Sequence, residues 1–337
     1  MAALSDLSIG FKKESVFGTP VTVDRWLEHL PGETLNYTNN HTQTRTLRVG
    51  SSGIDQGARR RFPTKEGAGD FTVPLSIKGM GALWELLLGT SVSNLVSGST
   101  YQQNHTLVSG SLVPSATIQK CVVAADGTVQ PYTFAGCVSS GFEVSITPEA
   151  STLRTSWDIR SLATATAYTS PSYVAGANLF DWIDAAPAAG GTLTMPTTTA
   201  LATGLTALTN VKSFTLSYSR ELSNARWLMG AAGLKARQTA GYGTLTWTLE
   251  TEVTDTVLRD LQLGGTSTPI TVTLTSPDAL SAGYATLQFT LPQCWVESEL
   301  PKQGGGEVST VTYSGMATHN GTDAPLTVSH RTADTAL

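Results

Sequence analysis

Apolar and polar residues alternate strictly along several stretches of the chain. In Asp70–Lys78, the side chains of Phe71, Val73, Leu75 and Ile77 fall on one face. In Thr244–Glu250, Leu245, Trp247 and Leu249 face one way, while three threonines and Glu250 face the other. Phe142, Val144 and Ile146 alternate with Glu143, Ser145 and Thr147; Phe214, Leu216 and Tyr218 alternate with Thr215, Ser217 and Ser219. A period of two over six residues or more predicts half-buried strands with one wet face. Antiparallel sheets accommodate such strands, whereas parallel sheets are usually covered on both faces.

Two short helical patterns interrupt the strands. Gly81–Leu88 stops at Gly89, and Thr254–Leu263 stops at Gly264, with Thr254 or Asp255 in position to cap the second. Each follows a strand, and this exposes an internal repeat. The first half reads strand 33–38, polar loop 39–67, strand 69–78, helix, strand 115–123, then a hairpin of 134–147 with 151–160. The second reads strand 211–220, loop 223–240, strand 242–252, helix, strand 269–275, then a hairpin of 285–299 with 307–317. Gly69–Leu75 aligns with Gly243–Leu249, and Phe134–Val138 with Leu291–Trp295, which makes Cys137 and Cys294 equivalent positions. Equivalent positions in two units lie far apart, so no bridge between them is expected. The run Thr192–Met195 reads as an extra strand pairing back on 208–220.

Composition narrows the class. Only 14% of the 337 residues are charged, while glycine reaches 32 and serine and threonine abound. This favours strands and turns over helices. A net charge of -5 argues against a domain that clings to nucleic acid by counterion release. No 18-residue apolar run predicts a membrane span, and the first residues lack the basic and apolar regions of a secretory signal. Three widely spaced cysteines (Cys121, Cys137, Cys294) form neither a disulfide framework nor a zinc site. No nucleophile elbow, phosphate loop or zinc-protease motif occurs, and the five histidines are scattered. The expectation is therefore not an enzyme, with no cofactor and no metal.

Two polar features carry more. Arg45, Arg48, Arg59, Arg60, Arg61 and Lys65 cluster in the loop 43–67, taking six of the 21 basic residues. A loop of that length is usually functional or disordered. Arginine suits an arm that reaches an acidic surface on another subunit, because its planar fork grips carboxylates. A solvated loop and a nucleic-acid patch are the other readings. The wet faces of the strands carry Ser, Thr and sparse acids: Asp70, Glu143, Asp158, Glu250, Glu252, Glu297 and Glu299. Such a face is either an ordinary solvated sheet or the lining of a pore that repels a polyanion rather than holding it.

The opening Phe11–Thr22, with Glu14, Gly18, Thr19, Pro20 and Val21 in an E-x-x-x-G-T-P-V spacing, resembles the start of major tail tube proteins of long-tailed bacteriophages (siphophages). Gly67–Gly89, Thr117–Lys120 and Tyr132–Val138 are similar to the same family in the same order, so the resemblance spans residues 8–320. It implies a mostly β fold of antiparallel β-sandwich or barrel domains, each flanked by one short helix. It implies a virion protein, made in the host cytoplasm, whose rings stack into a hollow tail tube for genome delivery. With the repeat, the expectation is a first tube domain at 1–165 with its N-terminal arm and stacking loop 43–67. A linker at 166–207, a second domain at 208–320 and a flexible tail at 321–337 follow. Three chains would then close a pseudo-hexameric ring, where single-domain relatives use six. The implied partners are further copies of the chain, a tape-measure protein in the lumen, and tail terminator and distal tail proteins at the ends. Phage double-stranded DNA would pass without sequence-specific binding. Glu143, Glu250 and Glu297 are the lumen-facing candidates. A baseplate or capsid-decorating protein, and a surface β-sandwich adhesin, are the alternatives.

Overall fold

The computed structural model of the chain describes residues 7–44, 57–108, 110, 112–163, 167–175, 178–185, 191–196, 205–208, 210–252, 257–298 and 310–334. The first half contains β1 (Ser8–Lys13), β2 (Arg25–Trp26), β3 (Asn36–Gln43), β4 (Arg60–Pro74), helix α1 (Gly81–Leu88), β5 (Gly89–Ser97), β6 (Thr100–Leu107), β7 (Ser115–Val123), β8 (Val129–Ile146), β9 (Ser151–Ile159) and β10 (Ser161–Ala163). The second contains β11 (Thr192–Pro196), β12 (Leu205–Ala207), β13 (Val211–Leu222), β14 (Ala240–Glu252), helix α2 (Val257–Gly264), β15 (Thr268–Ala279), β16 (Tyr284–Cys294), β17 (Thr310–Ala317) and β18 (Thr327–Thr332). The fold is mostly β, antiparallel throughout these pairings, with two short helices among the described residues.

The same path is traced twice. Neighbouring strands run β1·β7·β8·β9·β4·β3 in the first half. They run β11·β15·β16·β17·β14·β13 in the second. Even an irregularity recurs. Ala116↔Cys137 and Ile118↔Phe134 flank a bulge between β7 and β8, and Thr268↔Cys294 and Ile270↔Leu291 flank its counterpart. Bulges bend strands, and here they sit where a strand changes sheet. Residues 129–138 of β8 pair with β7, and the rest of the strand pairs with β9. Past Cys294 the chain moves beside β17, with Trp295 N donating to Met316 O at 2.8 Å and Glu297 N to Ser314 O at 2.8 Å. Cys137 and Cys294 occupy the two corners; with Cys121 they are free and buried.

The halves join into one inner sheet. The end of β8 pairs with β13 from Ile146↔Phe214 to Gly141↔Ser219. A Cβ on Gly141 would strike the Tyr218 carbonyl, so glycine permits this approach. The sheet therefore runs β3·β4·β9·β8·β13·β14·β17 across both halves, with residues 295–297 at its far edge. One face of it, including Phe71, Leu153, Val144, Leu216, Trp247 and Tyr313, is buried.

Helix α1 sits inside this packing. Its leucines favour helix, and Gly89, at φ 106°, ends it. Six of its eight residues are buried. Trp84 meets Phe142 of the first half at 6.2 Å and Phe289 of the second at 5.9 Å, both near edge-to-face. Arg220 of β13 donates to the Leu87 carbonyl at 3.1 Å and the Ser139 carbonyl at 3.0 Å. A side chain of one half thus caps the helix of the other. Burying one tryptophan of this kind contributes on the order of 4–6 kcal/mol by area.

Four expectations need correction. The loop 39–67 is largely a β-hairpin: β3 runs to Gln43 and β4 begins at Arg60. Both faces of its outer part are wet, so no alternation marks it. The tail 321–337 contains β18, which lies between β16 and β6 and buries Val328, His330 and Thr332. The strand Thr192–Pro196 pairs with β12 (Leu205–Ala207) and β15 and not, among the described residues, with 208–220. Asp158 is not on a wet face; it is buried. The candidate caps Thr254 and Asp255 lie outside the described residues.

Candidate assembly interface

The motif that opens the chain is a structural hub. The Glu14 carboxylate accepts from Ser115 Oγ (2.8 Å), Thr117 Oγ1 (3.0 Å), Gly136 N (2.8 Å) and Gly18 N (2.8 Å). It ties the end of β1 to β7 and to the corner of β8. Four donors offset the cost of burying a carboxylate. Gly18 closes the loop at φ 73°, where a side chain would also strike the Arg160 guanidinium.

The exposed face of the inner sheet brings the three acidic candidates together. Glu143 lies opposite Ser217 on one side and Arg154 on the other. Glu250 lies opposite Thr312, and Ser314, the backbone partner of Glu297, lies opposite Thr248. Between them stand Thr215, Thr246 and other small hydroxyl residues. Arg154 pairs with Asp70 at 2.5 Å. The Asp70 hydrogen bond and charge, and then the Glu143 charge, raise the guanidinium pKa further. Both groups are solvent-accessible, so this pair contributes little stability.

The basic candidates divide. Arg45 and Arg48 lie outside the described residues. Arg59 ends a short 3-10 turn, Gly57–Arg59. Arg60 and Arg61 begin β4 and are exposed, with Arg60 stacked over Phe62 at 5.8 Å. Lys65 lies further along β4; its N–H bonds Gly233 O at 2.8 Å and its carbonyl accepts from Trp227 Nε1 at 3.3 Å. The hairpin is thus held by residues 223–239, the loop that joins β13 to β14 as the hairpin tip joins β3 to β4.

That second loop has a buried anchor invisible in the sequence. Lys235 Nζ meets Asp158 Oδ1 at 3.0 Å, and Gln238 donates to the other carboxylate oxygen. Burial pushes the Asp158 carboxyl above the usual range, against the pull of Lys235. Removing one member of such a pair typically costs ~3–5 kcal/mol. The loop's tip is the reverse: Met229 is fully exposed and Leu228 is 61% exposed. The run Trp227–Leu228–Met229 ahead of Gly230 was the available signal.

A family profile described as phage tail tube protein matches residues 5–318. The chain belongs to the phage tail tube protein family. That membership places it in the tail of the virion, in a structural role, as a protein that self-assembles into a tube. No curated protein matches the chain. Among the described residues no cluster of metal-ligating side chains occurs, and no helix is long and apolar enough to cross a membrane.

Proposed function

We propose that three chains close a ring and that rings stack into the hollow tail tube of a siphophage, the conduit for genome delivery. The domain division into units at 1–165 and 208–320 belongs to the same reading. One observation carries it: the inner sheet passes between the two units through β8 and β13 as if they were neighbouring subunits. Each unit contributes four strands, counting residues 295–297 as the fourth of the second. Three chains then give 24 strands. At ~4.8 Å spacing and ~40° tilt the circumference is ~150 Å and the backbone diameter ~48 Å. Closure also removes the free sheet edges at β3 and beyond β17.

In this reading the wet face carrying Glu143, Glu250 and Glu297 lines the lumen. Small hydroxyls and sparse acids leave DNA without a cationic surface to hold it. A tape-measure protein fills the lumen before DNA, and terminator and distal tail proteins meet the tube ends. Arg45, Arg48, Arg59, Arg60, Arg61 and Lys65 serve stacking between rings. Negative-stain electron microscopy of the purified protein tests this. Hollow tubes or stacked annuli are expected; scattered monomers at every concentration would contradict it.

A further inference from the structure

The two ends of strand β13 carry surfaces that complement each other. At its C-terminal end the loop 223–239 projects Leu228 and Met229. The loop is firmly held for so exposed a segment. Ala231 N bonds Leu228 O at 3.1 Å, Ala236 N bonds Arg226 O at 2.7 Å, and Lys235 is buried on Asp158. Phe62, 51% exposed, lies on the adjoining hairpin. Arg226 of this loop and Arg60 and Arg61 of the adjoining hairpin are exposed, as are the acids Glu221 and, in part, Glu66, and the hairpin meets the loop through Lys65 N and Gly233 O.

At the other end of β13 a second apolar patch is built from residues 178–185. Trp182 Nε1 donates to Lys212 O at 2.8 Å, which fixes the segment beside the start of the strand. Phe180 N bonds Leu75 O at 2.7 Å, and Phe180 is buried, so the segment is anchored from below. Leu179, Trp182 and Ile183 remain exposed, Ile183 at 61%. Asp181 belongs to the segment, and Asp278 accepts from Asn178 Nδ2 at 2.5 Å, while Glu252, beside the start of β13, is paired with Lys212 at 3.4 Å. Burial raises the Asp184 carboxyl above its usual range against a backbone hydrogen bond from Asp181, and the charges of Asp181 and Asp278 add to the rise.

We infer that the Leu228–Met229 tip of one copy docks on the Leu179–Trp182–Ile183 patch of a second copy in the next ring. This rests on the tube reading and names its stacking contact. Three points argue for a second copy as occupant. The surfaces are apolar centres with rims of opposite charge, which favours encounter and register. They lie at opposite ends of one 12-residue strand, ~40 Å apart at ~3.4 Å per residue. An unlike pair of surfaces at opposite ends joins copies head to tail, which propagates a filament instead of closing a dimer. The tip also occupies the place in the second unit that the basic hairpin occupies in the first, so both units reach in the same axial direction.

The test is a chain carrying Met229→Cys and Ile183→Cys together. At their separation no bond can form within one chain, and the three native cysteines are buried. Mild oxidation of assembled protein should give a ladder of covalent multimers on a non-reducing gel. Met229→Asp alone should raise the concentration needed for tubes by at least about tenfold, while leaving the thermal midpoint of the free subunit unchanged. Tubes of the double-cysteine chain that give no ladder, together with undiminished assembly of Met229→Asp, would overturn the contact and leave the tube reading intact. Wild-type protein that never forms tubes would overturn both.

Discussion

Helices α1 and α2 hold the same place in the strand order, one after β4 and the other after β14, yet their surroundings differ. Helix α1 is apolar nearly all round, and its Trp84 bridges Phe142 of its own half and Phe289 of the other. Helix α2 buries Leu258, while Leu263 is 66% exposed and Arg259 pairs with its neighbour Asp260 at the surface. A helix hydrophobic on every side needs cover on every side. First-half strands cover most of α1, and the second half completes that cover through Phe289 and Arg220. Within one chain nothing equivalent covers α2 among the described residues. Two units with one topology are thus made unequal by their neighbours, as expected where one junction lies inside a chain and the next lies between chains.

Substitution should expose that inequality most strongly at the helices. Trp84→Ala is expected to cost ~3–5 kcal/mol in denaturant unfolding of the free subunit. Arg259→Ala should stay within ~0.5 kcal/mol. Equal costs would remove the distinction between a covered and an uncovered helix.

Acid should act next, most strongly at the lock between β6 and β18. His105 and His330 are buried there. Burial lowers His105 to about 3, with His330 adding to the effect, and lowers His330 to about 4. The unfolded chain binds these protons near pH 6.5 and the folded chain does not. Stability is therefore full above 6.5 and falls as pH drops towards 4, by up to ~1.4 kcal/mol per pH unit for each imidazole. His330→Phe should flatten this slope in urea titrations at successive pH values; an unchanged slope would place the acid sensitivity elsewhere.

The smallest effect is expected on the wet face. Lysine at positions 143, 250 and 297 (Glu143→Lys, Glu250→Lys, Glu297→Lys) should leave folding and tube assembly unchanged, since these side chains reach solvent, while slowing genome delivery. Failure of assembly would put them in an interface.

Much of the architecture was legible in the sequence where one face is buried and the other wet. Alternation around Phe71 and Val73 and along Leu245–Leu249 marks strands, although the first ends at Pro74 and not at 78, and Cys137 and Cys294 align as equivalent positions, which the structure places at two equivalent bulged corners. The outer part of the β3–β4 hairpin and strand β5 escaped because exposure on both faces erases alternation. Strand β18 escaped because its core-facing residues include His330 and Thr332, polar side chains that sequence assigns to water. Glu143 and Glu250 lie on the exposed face of the inner sheet, where the alternation along Phe142–Ile146 and Leu245–Leu249 puts them. Asp158 was misplaced because its partners Lys235 and Gln238 lie about 80 residues away. The docking surface at 178–185 was hidden in a segment read as linker.

The central claim is that two units in one chain stand for two subunits of a ring. Cryo-electron microscopy of assembled tubes, averaged in end-on projection, tests it most directly. The account predicts threefold symmetry with a pseudo-sixfold inner wall, three chains to each ring. A ring of six chains with twelve units around the lumen, or a polymer without a closed ring, would contradict it.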